Sequence, residues 1–223
     1  MVRARDLAWV VALVLLTGCG RDRKQEAVAR LMAAAAKGDT AGVAEALKAR
    51  APVDAANDSG ATALMLSFRH GQTAVTRMLL ERKANANAAD RRGRAPLHYA
   101  LSPLGSDREV AQMAGLLVQA GADPNVETGP APPLVTAAYL PTASVEVSRL
   151  LLDHGSWIDI RDAAGRSALM TAVQQDQVAL VQFLLTQGAD MNARDRSGRN
   201  IVSYAARKPN IMGLLFRSGA KPR

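Results

Sequence analysis

One cysteine stands among the 223 residues, so no disulfide can close within the chain and the compartment cannot be argued from bridges. Aromatic residues make up only 4%, too few for a β-sandwich or barrel, whose strands draw on Val, Ile, Tyr and Phe. Histidine occurs three times, and no P-loop, H-E-x-x-H, C-x-x-C or G-x-G-x-x-G is present, so the usual signatures of nucleotide, zinc and redox chemistry are missing. The one long apolar run, Leu7 to Leu16, has ten residues, well short of the roughly 20 that cross a bilayer as a helix. What the chain does have is an apolar share of 48%, with frequent alanine and leucine. That is ample for a continuous core of closely packed helices. Its net charge is +8 and its pI is about 10.2, a balance that suits nucleic acid, an anionic membrane surface or an acidic protein.

The first residues read as an address. Arg3 and Arg5 precede the apolar run, and the small residues Thr17 and Gly18 follow it before Cys19. This is the layout of a secretory signal. The string L-T-G-C, Leu16 to Cys19, resembles the lipobox of bacterial lipoproteins. The resemblance implies cleavage before Cys19 and acylation of that cysteine, giving a signal peptide over 1–18 and a short tether over 19–25. A buried structural cysteine fits poorly beside the polar run R-D-R-K. Glycine rather than aspartate at position 20 implies delivery to the outer membrane under the enteric sorting rule. Three acyl chains exceed the two signals needed for stable anchoring. Loss of residues 1–18 removes Arg3, Arg5 and Asp6, which leaves the mature chain at +7.

Beyond the leader, the sequence repeats itself with a period of about 33 residues. The clearest unit runs from Arg166 to Asn192, R-S-A-L-M-T-A-V-Q-Q-D-Q-V-A-L-V-Q-F-L-L-T-Q-G-A-D-M-N. Anchor positions recur at Leu64, Leu97, Leu134, Leu169 and Val202, separated by 33, 37, 35 and 33 residues. Leucine pairs recur as Leu79 with Leu80, Leu116 with Leu117, Leu151 with Leu152, Leu184 with Leu185 and Leu214 with Leu215. Each pair precedes a loop, in which Gly121, Gly155, Gly188 and Gly219 offer the left-handed residue that ends a helix.

These segments resemble the ankyrin consensus, the A-P-L-H of residues 95–98 coming nearest to its T-P-L-H motif, while P-P-L-V at 132–135 and N-I-V-S at 200–203 have drifted far. The resemblance covers roughly 26–223 and implies an all-α solenoid of about six helix-turn-helix units with hairpin-like finger loops. The expected repeats are 26–58, 59–91, 92–128, 129–162, 163–195 and 196–223, the first and last serving as caps. Because no repeat buries its apolar face alone, the stack is expected to form one cooperative domain. From Leu97 to Gly121 there are 24 steps, against 19 from Leu169 to Gly188. The third repeat therefore carries about five extra residues, expected as a protruding loop around Ser102 to Arg108. The fourth has two, near Leu140 to Ala143.

Chemistry is sparse. His98 closes the A-P-L-H segment, where the family histidine ties neighbouring repeats together. His70 and His154 flank Gly71 and Gly155, positions at which an imidazole suits the carboxyl end of a helix. Asp90, Asp162 and Asp195 fall in a D-x-x-G pattern and are turn formers before they are catalytic carboxylates. Asn57 heads a formal glycosylation triplet, but a finger turn accounts for it. The expectation is a chain without catalytic residues, metal or cofactor.

The family resemblance implies that partners are held by finger tips and by the exposed side of the first helices. The fingers carry Arg91, Arg92 and Arg94, then Arg161 and Arg166, then Arg194, Arg196 and Arg199. This ridge either grips carboxylates bidentately or is a solvated rim, partly neutralised by the neighbouring aspartates. On the first helices Leu66, Arg69, Tyr99, Thr171 and Gln174 occupy variable positions, with Tyr99 the expected anchor. Trp157 replaces the usual aspartate of its loop. It either packs locally or, if exposed, marks a contact.

The expected function is a monomeric, non-catalytic scaffold tethered in the bacterial envelope, its repeats in the periplasm and its partner another protein with an acidic surface. The alternative is a basic module resting on membrane or wall surfaces, which would release steeply with salt. Nucleic acid is not an expected partner at that address.

Overall fold

The computed structural model describes residues 23–101, 107–141 and 144–219. Among these it contains twelve helices and no strand longer than an isolated bridge. Helix α1 covers 23–37. It is followed by α2 Thr40–Lys48, α3 Ala63–Arg69, α4 Thr73–Glu81, α5 Pro96–Ala100, α6 Asp107–Gln119, α7 Pro133–Ala137, α8 Ser144–Asp153, α9 Ala168–Gln174, α10 Val178–Thr186, α11 Ile201–Ala205 and α12 Pro209–Arg217. The signal peptide and Cys19 lie outside the described residues. Residues 23–25, the end of the expected tether of 19–25, are helical.

The chain divides into two compact units, one ending at Ala84 and one spanning Asn85–Arg223. In the first unit α2 and α3 both pack on α4. In the second, the odd-numbered helices α5, α7, α9 and α11 form one layer, each against the next. The even-numbered helices α6, α8, α10 and α12 form the other. Each repeat of this unit contributes one helix to each layer.

Each short odd helix starts where a side chain can satisfy its free N–H groups. Thr62, Ser167 and Asn200 accept from the backbone N–H of Met65, Met170 and Ser203. Pro96 and Pro133 stand at the first turn, where a missing N–H costs nothing. The anchor leucines Leu64, Leu97, Leu134 and Leu169 are at most 1% exposed. Val202, on the terminal repeat, is half-buried, and its neighbour Ile201 is buried. Each leucine pair of the even helices divides likewise: Leu79, Leu117, Leu151, Leu184 and Leu215 are fully enclosed, and their partners half-exposed. Burying one such side chain is worth about 1.5–3 kcal/mol.

The first repeat has no finger. Leu31 is fully buried in α1 and stands 33 residues before Leu64, so residues 23–30 extend that helix where a hairpin would otherwise precede it. Part of the extra length of the third repeat is helix. Asp107 and Arg108 belong to α6, which has 13 residues against nine in α4 and α10, and residues 102–106 lie outside the described set.

The loop glycines Gly121, Gly155, Gly188 and Gly219 all adopt φ between +86° and +100°. In the second repeat Lys83 holds this position at φ +61°, a conformation costing a residue with a Cβ about 1–2 kcal/mol. Lys83→Gly relieves that strain and adds unfolded-state entropy. The expected net gain is about 0.5–1 kcal/mol, read as a higher urea midpoint at unchanged slope.

Candidate functional site

The fingers are held from inside by a repeated polar clamp. In the finger before α5, Oδ1 of Asp90 accepts from the backbone N–H of Arg92 (2.8 Å) and Arg94 (2.9 Å), which fixes the turn. Its Oδ2 accepts from Arg94 Nε (2.8 Å) and from the Tyr99 hydroxyl (2.7 Å). The Arg94 guanidinium also donates to that hydroxyl and lies 4.7 Å over the Tyr99 ring. The last finger repeats the arrangement with Asp195, Arg199 and Tyr204, the guanidinium lying 4.9 Å over the ring. In the finger before α9, Asp162 accepts from the N–H of Ala164 and Arg166 and from Arg166 Nε. The position nine residues beyond that aspartate is Thr171, not tyrosine.

The clamps perturb their own groups. Burial alone would raise the Asp90 carboxyl, but hydrogen bonds from Tyr99, Arg94 and Arg92 outweigh it and hold it at about 2, below its ordinary 3.8. The Tyr204 hydroxyl holds Asp195 lower still, with the Arg199 and Ser197 bonds adding to it. Burial and the Asp195 charge push Tyr204 up to about 12.

This divides the arginine ridge. Arg94, Arg166 and Arg199 turn inward onto aspartates at 2.7–2.8 Å. They hold the hairpins and are not free contacts. Arg161 donates to the carbonyl of Arg194 (2.7 Å), and Arg194 to that of Gly198 (2.8 Å), so both are exposed but pegged. Among the described residues, Arg91, Arg92 and Arg196 are exposed and their side chains have no partner. Tyr99, expected as an exposed anchor, is instead buried at 7% exposure with its hydroxyl on Asp90. A tyrosine nine residues after a finger aspartate is drawn inward by that carboxylate. Trp157, by contrast, is 62% exposed, its backbone N–H donating to Asn125 and its carbonyl accepting from the Ile160 N–H. Tyr139 is 43% exposed.

Neighbouring repeats are tied by polar rungs. His98 Nδ1 accepts from the Ala95 N–H (3.1 Å), which leaves the proton on Nε2 to donate to the Ala131 carbonyl one repeat on (3.0 Å). Asn87 donates to the Gly121 carbonyl and accepts from Asp123 N–H, and Asn125 does the same with Gly155 and Trp157. Asp159 takes this place next and accepts from Asp190 N–H, but a carboxylate has no N–H to donate. The sequence reading missed these rungs, although the asparagine closing successive loops was their signal. Adjacent fingers also touch: Arg196 N–H donates to the Ala164 carbonyl at 3.0 Å. A side chain on Gly165, at φ +78°, would meet that nitrogen at 2.9 Å.

Burial lowers His98 below its ordinary 6.5. Its folded value is thus the lower one, so its contribution is complete above pH 6.5 and is lost as pH falls below that. We expect the urea midpoint to drop between pH 7.5 and 5.5 in the wild type and to stay flatter in His98→Gln. His154 Nδ1 donates to the Leu150 carbonyl (2.8 Å), and His70 caps α3. Asn57 Oδ1 accepts from Ser59 and Ala61 N–H, the finger-turn role expected of it. Among the described residues there is no cluster of three or more His, Cys, Asp or Glu placed to hold a metal, and no helix long and apolar enough to cross a membrane.

Paired helices in two layers, with clamped hairpins between them, define a repeat protein of the class that presents loops and helix faces to other proteins. The family model described as ankyrin repeats (3 copies) matches residues 31–128, 112–195 and 134–223. The chain belongs to the ankyrin repeat family. An ankyrin repeat domain from Acinetobacter baumannii has 28% identity and a TM-score of 0.73, over 86% of this chain and 98% of that one. The ankyrin repeat domain of Bcl-3 has 27% identity and a TM-score of 0.73, over 86% of each. A chain in the complex of a predatory endopeptidase with an immunity protein from Bdellovibrio bacteriovorus shares the fold at 22% identity, with a TM-score of 0.72 over 84% of this chain and 97% of that one. The mouse B-cell lymphoma 3 protein homolog is 31% identical over 176 residues, 75% of this chain and 38% of that protein. The chain spans small parts of other curated relatives, 11% of an ankyrin repeat and LEM domain-containing protein 1 homolog and 8% of mask-1, both from Caenorhabditis elegans.

Proposed function

We propose that this chain is a non-catalytic protein-binding scaffold, attached to the bacterial envelope by lipid on Cys19, whose fingers engage an acidic surface of a periplasmic or envelope protein. The observation that carries the reading is the set of finger-tip arginines left without partners, Arg91, Arg92 and Arg196. Three exposed cations on turns held rigid by Asp90 and Asp195 present charge at little further cost in ordering. The exposed indole of Trp157 adds an aromatic contact of the kind that dominates interfaces. Membership of a family that generally works by protein interaction supports the same reading.

The test is capture of partners from membranes of the native host after mild crosslinking, comparing wild type with the triple variant Arg91→Ala, Arg92→Ala, Arg196→Ala. Arg94, Arg166 and Arg199 stay in place, since their loss would open the fingers and confuse folding with binding. One protein held by wild type and lost in the triple variant supports the scaffold. Recovery of only lipid or wall polymer, released by salt, replaces it with surface attachment. Labelling with radioactive palmitate that persists in Cys19→Ser would remove the anchor from the reading.

A further inference from the structure

The loops that follow α4, α6, α8 and α10 share one pattern, and the loop after α8 breaks it at three neighbouring positions. Its siblings read A-N-A-N from Ala84, A-D-P-N from Ala122 and A-D-M-N from Ala189, whereas this loop reads S-W-I-D from Ser156. Each change works against the loop itself. Ser156 is buried like Ala84, Ala122 and Ala189, but its Oγ has no hydrogen-bond partner, a penalty that alanine avoids. Trp157 leaves its indole 62% exposed, where the siblings expose the polar Asn85, Asp123 and Asp190. Asp159 lacks the N–H with which Asn87 and Asn125 hold the glycine carbonyl of the next loop. Stability accounts for none of the three.

The rungs between loops set what surrounds the indole. Asp123 Oδ1 accepts from the Asn125 N–H (2.8 Å), and Asn125 Oδ1 accepts in turn from the Trp157 N–H (2.8 Å). On the other side Asp159 Oδ1 accepts from the Asp190 N–H (3.0 Å). Asp123, Trp157 and Asp190 therefore hold the same exposed place in three successive loops. Among the described residues, none of Asp123, Asp159 and Asp190 is in an ion pair. The cationic side chains nearest in the chain are engaged elsewhere, His154 on the Leu150 carbonyl and Arg161 on the Arg194 carbonyl. On a chain of net charge +8, an exposed aromatic face thus stands among unpaired carboxylates. Indole is the best aromatic partner for a cation, and arginine is the cation found more often on it. A carboxylate beside the ring adds a charge-assisted acceptor for the guanidinium N–H groups.

We propose that Trp157, between Asp123 of the preceding loop and Asp190 of the following one, is the seat for an arginine side chain of the protein partner, its guanidinium on the indole and its N–H groups on a flanking carboxylate. The seat rests on the scaffold reading and extends it, since the partner then presents a basic group here as well as an acidic surface to the finger tips. The three departures trade loop stability for this one contact.

The full chain is tested by fluorescence anisotropy, in about 0.15 M salt to screen distant charges, with a labelled octapeptide of alternating arginine and serine, against the same peptide carrying glutamine. Wild type is expected to bind the arginine peptide at least tenfold more tightly. In a Trp9→Phe background, where Trp157 is the one tryptophan left, its emission should change along the same binding curve. Trp157→Ala, at an exposed position, is expected to weaken the peptide at least fivefold without moving Tm. Asp123→Asn with Asp190→Asn, which keep the acceptors of their own turns, should also weaken it at least fivefold. Arg91→Ala with Arg92→Ala, on a finger tip, should change it less than twofold. The seat is overturned if the two peptides bind alike, if neither binds at millimolar concentration, if bound peptide leaves the Trp157 emission unmoved, or if Trp157→Ala binds as wild type does. Should the double asparagine variant fold poorly, Trp157→Ala decides. If the seat fails while host membranes still yield a protein dependent on the finger-tip arginines, the scaffold reading stands; if they yield none, that reading fails, and the seat loses its protein partner with it.

Discussion

Leu169→Ala is expected to remove about 3 kcal/mol of stability, within the range for emptying a leucine-sized space in a packed core. Leu169 is 1% exposed in α9. That helix packs against α7 on one side, α11 on the other and α10 behind, so the gap cannot close without shifting three neighbours. In a stacked array the loss is felt at both interfaces of the repeat as well as within it. Val202→Ala takes methyl groups from the corresponding position of the terminal repeat, where the side chain is half-buried, and should cost about 1 kcal/mol. Urea unfolding followed by circular dichroism compares them directly. Equal costs would mean that the interior repeat relaxes around the cavity, and that stability is not concentrated in the inner anchors.

Much of this was legible in the residues because the physics is repeated. An anchor leucine at Leu64, Leu97, Leu134 and Leu169 is read five times over with Val202, and loop glycines mark the ends of α6, α8, α10 and α12, so a drifted segment such as P-P-L-V is placed by its neighbours. The clamp was legible only in part. The D-x-x-G turn was visible, but the arginine one step beyond it reads equally well as a ligand for a partner. Direction decides, and direction is tertiary: Arg94 and Arg199 point back because their aspartates are buried and need a cation. Tyr99 was misplaced for the same reason, as an aromatic at a variable position looks like an anchor until its hydroxyl is seen on Asp90. The helical extension of α1 had no signal in the repeat, since it occupies the place where the repeat is missing. The lipid anchor rests on the sequence pattern around Cys19, outside the described residues.

Asp90→Ala should be the most damaging polar substitution in the fingers. It removes the acceptor of two backbone N–H groups, one guanidinium and one phenol at once, and leaves Arg94 and Tyr99 without the charge that orients them. Hydrogen bonds to charged groups contribute about 1.5–3 kcal/mol each, yet Arg94 is about one-third exposed and water replaces part of what it loses. The expected net cost is about 2 kcal/mol. Asp90→Asn keeps the acceptor of the two turn bonds but puts an NH2 donor where Oδ2 accepted from Arg94 and Tyr99, so it should cost less than the alanine change, by what the turn bonds contribute. The same clamp sets an acid limit. Asp90 titrates near 2 when folded and near 3.8 when free, so its contribution is whole above pH 4 and disappears as pH falls from 3.8 towards 2. Tyr204 imposes the opposite limit on the last finger. Its hydroxyl must stay protonated to donate to Asp195, and its folded value of about 12 exceeds the ordinary 10. That contribution is therefore present below pH 10 and lost as pH rises towards 12. Wild type should lose stability at both ends, Asp90→Asn should flatten the acid limb, and Tyr204→Phe should flatten the alkaline limb together with the part of the acid limb that Asp195 owes to its hydroxyl. An acid limb unchanged in Asp90→Asn would show that the carboxylate charge of Asp90 is not what holds its finger closed.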